Sequence, residues 1–384
     1  MTVEHEDALV MSLRNEVETL RRQLSSCSQE HLQQVEAERR ARVAAEWAAH
    51  DSARLADYYV ELYASQSVPA TSQQTHWPCG SFEFPESPNV WRFNPSLVEY
   101  QKEVWLCVRR LTLNPDSTQT NEIEFWRVPE QGAVEGNPDR LRIELKDFIG
   151  CPLPKLAPDD NFEDPRCFIH RGHVWVSTCQ FRPRQGCYAH QCLTRLDAQF
   201  QPRQHIEPVL GNNRYLYQDQ AGHEKNWSWF DHEGELYVVY RLAPEHTVVY
   251  APGGTPLNAH KTARVSSLWQ HGEPRGGNSP VRMRNEYFGF FHGATAWSRT
   301  QRRYHAGCYA FEAKPPFAVT RATILPLLTG SENDPRRHGM PLVVFPGGAL
   351  FKNNEWFVVF GINDCACGWI RIPHEELLLK MAPA

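Results

Sequence analysis

Apolar residues keep two different periods along this chain. In the first 65 residues they return every three or four positions. Val10, Leu13, Val17, Leu20, Leu24 and Cys27 are spaced 3-4-3-4-3, the a/d seam of a coiled coil, and Leu32 and Val35 resume one step out of register. This stretch holds no Gly or Pro and is rich in Glu, Arg, Ala, Leu and Gln. It predicts an amphipathic helix over 1–65 that self-associates, making the protein a homo-oligomer. Residues 66–80, QSVPATSQQTHWPCG, read as a linker.

From residue 81 the texture changes to short apolar runs broken by polar turns, and a repeat emerges. Each unit has a polar or glycine opening, an apolar strand, a short polar turn and an aromatic-rich return strand. The five units are FNPSLVEYQKEVWLCVRR from Phe93, EDPRCFIHRGHVWVSTC from Glu163, KNWSWFDHEGELYVVYR from Lys225, GGNSPVRMRNEYFGFFHG from Gly276 and FPGGALFKNNEWFVVFG from Phe345. Counted from Asn94, Asp164, Asn226, Gly277 and Pro346, the return strand is reached by the same ten-residue step, at Val104, Val174, Leu236, Tyr287 and Trp356. Regularly spaced hairpins of this kind predict a radial array of sheets: an all-β fold, a five-bladed β-propeller over 81–384. A β-sandwich also contains similar hairpins, but its strand starts scatter, whereas those of a propeller converge on the axis.

Composition narrows the function classes. A net charge of −5 with both signs mixed argues against a nucleic-acid footprint. The charged start MTVEHEDALV is unlike a signal peptide, and no apolar run reaches membrane-spanning length, so the reading is a cytoplasmic protein without a transmembrane segment. Eleven cysteines, an odd number scattered over a long chain, suit reduced thiols. Cys187, His190, Cys192, Cys365 and Cys367 lack paired C-x-x-C knuckles, so no metal site and no cofactor are expected.

The chemistry collects at the openings and strand ends: Asn94, Arg109, Glu163-Asp164-Pro165-Arg166, Lys225-Asn226, Arg241, Arg282, Tyr304-His305 and Asp364. Singly, each has an ordinary structural role; an Asp before Pro caps turns, and an Arg at a strand end is commonly solvated. Together they offer one well-placed Asp and a set of cations. An inverting hydrolase needs a second carboxylate to activate water. A phosphorolytic enzyme needs only the acid, plus cations that hold phosphate against the anomeric carbon.

These motifs resemble the mannoside phosphorylases of glycoside hydrolase family 130. The resemblance is carried in order by FEDPR, KN with an Arg closing the next strand, GGNSPVR running into FFHG, RYHAGCYAF, PPFAVTRATILPLL, VVFPGGALF and GIND, and it covers about residues 90–375. It implies a propeller with a sugar site in its central cavity and Asp164 as general acid, acting through a sugar hydroxyl. It further implies that Lys225, Arg241, Arg282 and His305 bind phosphate, and that Asn226, Arg109 and Asp364 line the sugar subsite. Asn94, Glu163, Arg166 and Tyr304 join the substrate-binding set, with Glu163 orienting Arg166 or a sugar hydroxyl. Arg282 departs from the Lys usual in the family, and the long segment between Asp164 and Lys225 reshapes the acceptor side. The function this points to is inverting transfer of a β-mannosyl residue to or from phosphate, with a glycan as partner and phosphate or a sugar phosphate as substrate. Transfer from a nucleotide sugar and non-catalytic glycan binding are the alternatives.

Overall fold

The computed structural model describes Glu18 and residues 77–384, apart from 117, 130–140, 155–160, 182–189, 209–224, 266–268, 297–301, 332–333 and 335–340. The expected coiled coil and most of the expected linker lie outside the described residues. Trp77 to Gly80, read above as linker, belong to the fold: Trp77 is buried, and Cys79–Glu83 is a strand.

The hairpins fall where the repeat puts them. Val90–Tyr100 pairs with Glu103–Leu113, Asn161–His170 with His173–Phe181, and Ser228–His232 with Glu235–Arg241. Val281–Met283 pairs with Glu286–Ala296, and Val344–Lys352 with Glu355–Ile362. All are antiparallel, and most turn through left-handed residues, as the right-handed twist of paired strands favours. Gln101-Lys102, Arg171-Gly172, Glu233-Gly234 and Asn353-Asn354 all have positive φ, as does Arg284.

Five sheets grow from these hairpins. The first adds Gln119–Val128 and Phe148–Cys151, the second His190–Leu196 and Pro202–Ile206, and the third Glu245–Tyr250 and Asn258–Ala263. These three are four-stranded; the others depart from the repeat. The fourth is seven-stranded: it gains Arg275–Gly276, Arg302–Glu312, Val319–Thr323, Leu328–Thr329 and, from the end of the chain, Met381–Pro383. The fifth continues through Ala366–Pro373 to Cys79–Glu83, to which Leu141–Glu144 adds in parallel. The expectation of five equivalent units therefore holds for the hairpins alone. The strands from the two ends of the described fold are absorbed unequally, because an unpaired sheet edge leaves backbone donors and acceptors unsatisfied.

The sheets pack in a closed ring, with a separate apolar cluster at each interface. Phe125, Cys167 and Val176 join the first sheet to the second, and Phe168, Trp229 and Val238 the second to the third. Phe230, Phe291 and Phe311 join third to fourth, Phe288, Trp356 and Ile370 fourth to fifth, and Leu106, Trp126 and Trp369 fifth back to first. The first strand of every hairpin faces a shared axial cavity of about 300 Å³, lined by Val98, Ile169, Phe230, Val281 and Ala349 among others. The fold is all-β and propeller-like, with apolar contacts between sheets and the axis left open. Among the described residues, no helix is long and apolar enough to cross a membrane.

Trp77 lies at one of these interfaces. It is buried in the cluster between the fourth and fifth sheets, and its indole N–H donates to Glu376 of the short helix His374–Leu379. Trp77→Ala opens a large cavity there and is expected to cost about 3–5 kcal/mol, the range for buried Trp truncations. Urea unfolding checks this; an unchanged midpoint would show that the start of the fold is not what holds the ring.

Candidate active site

The FEDPR motif opens the first strand of the second sheet, and its backbone decides what the side chains reach. The ladder between Asn161–His170 and His173–Phe181 slips between Glu163 and Arg166, leaving Asp164 in the left-handed region at φ 51°. The first sheet repeats the device: the ladder slips between Phe93 and Ser96, with Asn94 at φ 49°, and Asn226, just before the third sheet, sits at φ 64°. Asn and Asp enter this region at lower cost than other non-glycine residues, which accounts for those residue types at three matching openings. Such bulges turn side chains off the strand axis.

Around the bulges runs a chain of polar contacts crossing three sheets. The Asn94 amide Nδ2 donates to Asp164 Oδ1 at 2.8 Å. The Arg109 guanidinium lies 3.8 Å from the same oxygen and donates to Glu163 Oε1 at 3.3 Å. Lys225 Nζ donates to Glu163 Oε2 at 2.8 Å. Both Glu163 oxygens are thus taken by cations. Burial pushes its carboxyl up, but Arg109 and Lys225 outweigh that and hold it below the usual carboxylate range. Lys225 is in turn held above its ordinary value: burial works against its charge, and Glu163 overrides it.

Arg166 lies behind this chain, 2% exposed. It donates to the carbonyls of Trp227 and Gly276 and to Asn226 Oδ1, and lies over the Phe345 ring. Burial pushes its pKa down to about 10, with Asp164 opposing, so it stays charged at neutral pH. It is a buried strut rather than the surface sugar contact expected from sequence. Asn94 is likewise buried and spends its amide on Asp164.

The remaining candidates divide by which end of their strand they occupy. In every hairpin the turn lies at one end and the groups just described at the other. Arg241 ends its strand on the Asp164 side and lies over the Tyr240 ring. Asp364 is in a left-handed turn after Glu355–Ile362, also at that end. Tyr304 and His305 open Arg302–Glu312 opposite Ala294 and Gly293. Tyr304 stacks on His292 at 5.7 Å, and His305 bonds through its two ring nitrogens to the hydroxyls of Thr295 and Thr329 at 3.1 and 3.2 Å. Burial, with His271 and Arg303 adding, pushes His305 down to about 3. It is neutral, so it supplies hydrogen bonds and not the charge expected of a phosphate-binding cation.

Arg282 stands apart. It pairs with Tyr287 two positions from the turn, donates to the Arg284 carbonyl and is exposed. Asp164 lies seven residues before its own turn, so at about 3.3 Å per residue Arg282 is on the order of 15 Å further along its strand, at the other mouth of the axial cavity. The motif match placed it with the phosphate groups; the short strand Val281–Met283 carries it away.

Sequence reasoning missed Asn121, which accepts from Arg109 Nε at 2.8 Å, and Cys179, paired with Glu163 in register. Burial pushes the Cys179 thiol up, which leaves it an uncharged neighbour. Asn121 lies in an unremarkable strand sequence, TNEIEF, and nothing in that pattern marks it. Among the described residues, no three His, Cys, Asp or Glu side chains are grouped to hold a metal ion. The CYAHQC stretch falls partly outside the described residues.

No protein-family model matches this chain, and no curated protein matches it. Solved structures do match. A β-1,2-mannobiose phosphorylase from Listeria innocua, in complex with β-1,2-mannobiose, aligns with a TM-score of 0.55 at 15% identity, over 77% of this chain and 94% of its own. A protein from Parabacteroides distasonis described as a glycoside hydrolase gives 0.57 at 13%, over 75% and 88%. A mannose phosphorylase from Leishmania mexicana, in complex with a phosphate ion, gives 0.51 at 12%, over 79% and 91%. At these identities the likeness is one of fold: the chain has the propeller-like architecture of the mannoside phosphorylases.

Proposed function

We propose that this protein is an inverting, phosphate-dependent mannoside phosphorylase, its five sheets being the blades of a propeller whose axial mouth holds the sugar. The observation that carries this reading is the division between two adjacent carboxylates. Glu163 is locked as an anion between Arg109 and Lys225, whereas among the described residues Asp164 has its ion-pair and hydrogen-bond contacts on Oδ1 alone and is 19% exposed. One proton-donating carboxyl beside a cation-rich wall suits attack by phosphate, which needs no base to activate it.

In the reaction Asp164 gives its proton to the leaving-group oxygen, directly or through a sugar hydroxyl. A phosphate oxygen attacks the anomeric carbon from the opposite face as the glycosidic C–O bond breaks. The products are α-mannose 1-phosphate and the released sugar, and Asp164 is reprotonated from solvent. Lys225 and Arg241 are the cations proposed to hold the phosphate, with His305 as a neutral hydrogen-bonding partner. Phosphate then competes with Glu163 for Lys225. Asn226, kept in place by Arg166, and Tyr304 and Asp364 border the sugar. The similar structures include two phosphorylases, which supports phosphorolysis over transfer from a nucleotide sugar.

β-1,2-Mannobiose, the ligand of the Listeria innocua enzyme, is the first substrate to try. With inorganic phosphate the protein is expected to release mannose 1-phosphate, detected by phosphorus NMR; turnover of a mannoside panel that ignores phosphate would overturn the reading. Asp164→Asn keeps the shape and the left-handed backbone, and should lower turnover at least ~100-fold while sugar still binds. Near-normal turnover in that variant would place the acid elsewhere.

The cation wall makes a separate demand. Arg241→Ala removes a charge-assisted contact worth about 2 kcal/mol, so KM for phosphate should rise roughly thirty-fold with sugar affinity little changed. A variant with unaltered phosphate dependence would remove Arg241 from the site.

A further inference from the structure

Asn94 was expected to touch sugar, and the structure gives it another task. It is 5% exposed, and its Nδ2–H donates to Asp164 Oδ1 at 2.8 Å. Among the described residues its own Oδ1 is buried without a hydrogen-bond partner, and it lies against Gly361, where an added Cβ would come within 2.1 Å of it. A residue that leaves a buried acceptor unsatisfied has its orientation set by something else, here the wedge against a glycine and the bond to Asp164. Both residues are in the left-handed region, at φ 49° and 51°, so two bulges on neighbouring sheets aim the amide at the carboxyl.

We infer that Asn94 is a positioning residue that makes Asp164 a directional proton donor: its N–H reserves Oδ1 as an acceptor and leaves the acid proton to Oδ2. An oxygen that accepts from an amide N–H is poorly placed to carry a proton, since the hydrogen would face another hydrogen. Arg109, 3.8 Å from the same oxygen, acts in the same sense. Among the described residues Oδ2 has no hydrogen-bond partner and is the oxygen left for substrate. Asn94 acts through Asp164, so this inference rests on the proposed role of Asp164 as acid.

Asn94→Gly and Asn94→Asp test it, because both residues tolerate positive φ and keep the bulge. Both variants remove the N–H from which Asp164 Oδ1 accepts. The other charged or titratable neighbours are Glu163, Arg166 and Cys179 on its own sheet, Arg109 on the first and Lys225 ahead of the third, all unaltered in the variants. The Asp164 carboxyl-carbon resonance, identified in ¹³C spectra by its loss in Asp164→Asn, should change position in both variants, because the hydrogen bond to Oδ1 is gone. Phosphorolysis of β-1,2-mannobiose should slow on the order of ten-fold in kcat, with less loss on para-nitrophenyl β-mannoside and an unchanged KM.

An unmoved carboxyl resonance overturns the inference, as does a rise in KM with kcat unchanged, which would make Asn94 a sugar contact. Equal losses on both substrates would reduce it to a structural residue. Asp164→Asn separates the two levels. If that variant is as active as the parent, the acid assignment fails; if it is inactive while Asn94→Gly behaves as the parent, the acid stands and only the positioning role falls.

Discussion

The buried guanidinium of Arg166 is the constraint on which the site depends. It belongs to the second sheet, yet it bonds to Trp227 and Asn226 at the entrance to the third and to Gly276 in the fourth, and it stacks on Phe345 of the fifth. A cation at this depth is tolerable only because backbone carbonyls and an amide oxygen replace its water and because Asp164 is close enough to oppose the burial penalty. Loss of the guanidinium would orphan several buried acceptors at once. The small residue at Gly276 is part of the same arrangement, since a Cβ there would meet the Asn226 carbonyl at 2.2 Å.

Around that strut the ring divides its labour. The large apolar clusters lie at the five interfaces between sheets, where Trp126, Trp229, Trp356 and Trp369 are almost fully enclosed. Hydrophobic contact therefore holds the sheets together without filling the axis. The strand openings around Asn94, Asp164 and Asn226 are held in left-handed or bulged conformations. Such backbone is costly unless the surrounding structure enforces it, and here paired strands on both sides do so. Stability and chemistry occupy different parts of each strand, and substitutions in one are separable from the other.

The hairpins were legible because their signals are local. Alternating apolar runs, two-residue polar turns and a ten-residue step from Asn94, Asp164 and Asn226 are properties of short windows, and the strands confirm each return at Val104, Val174 and Leu236. The grouping of Arg109, Glu163, Asp164, Lys225 and Asn226 was also legible, since one repeat position in a radial array maps to one place near the axis. What escaped was anything set by depth or by direction along a strand. His305 was counted as a cation, but enclosure between two threonines keeps it neutral. Arg282 shares a motif with the site, yet a three-residue strand puts it near a turn. Asn94 and Arg166 were read as sugar contacts and are buried supports.

By itself, then, the sequence determined the all-β class, the hairpins and their turns, and which residue types stand at the openings, because propensity and periodicity act over a few residues and survive without knowledge of neighbours. Only the tertiary structure shows that Glu163 has both oxygens held by cations while Asp164 is contacted at Oδ1. That difference depends on Arg109, Asn94 and Lys225 arriving from the first and third sheets, 54, 70 and 62 residues away from the group each one binds. Charge state and orientation depend on distance through space and on burial, and neither can be read from spacing along the chain.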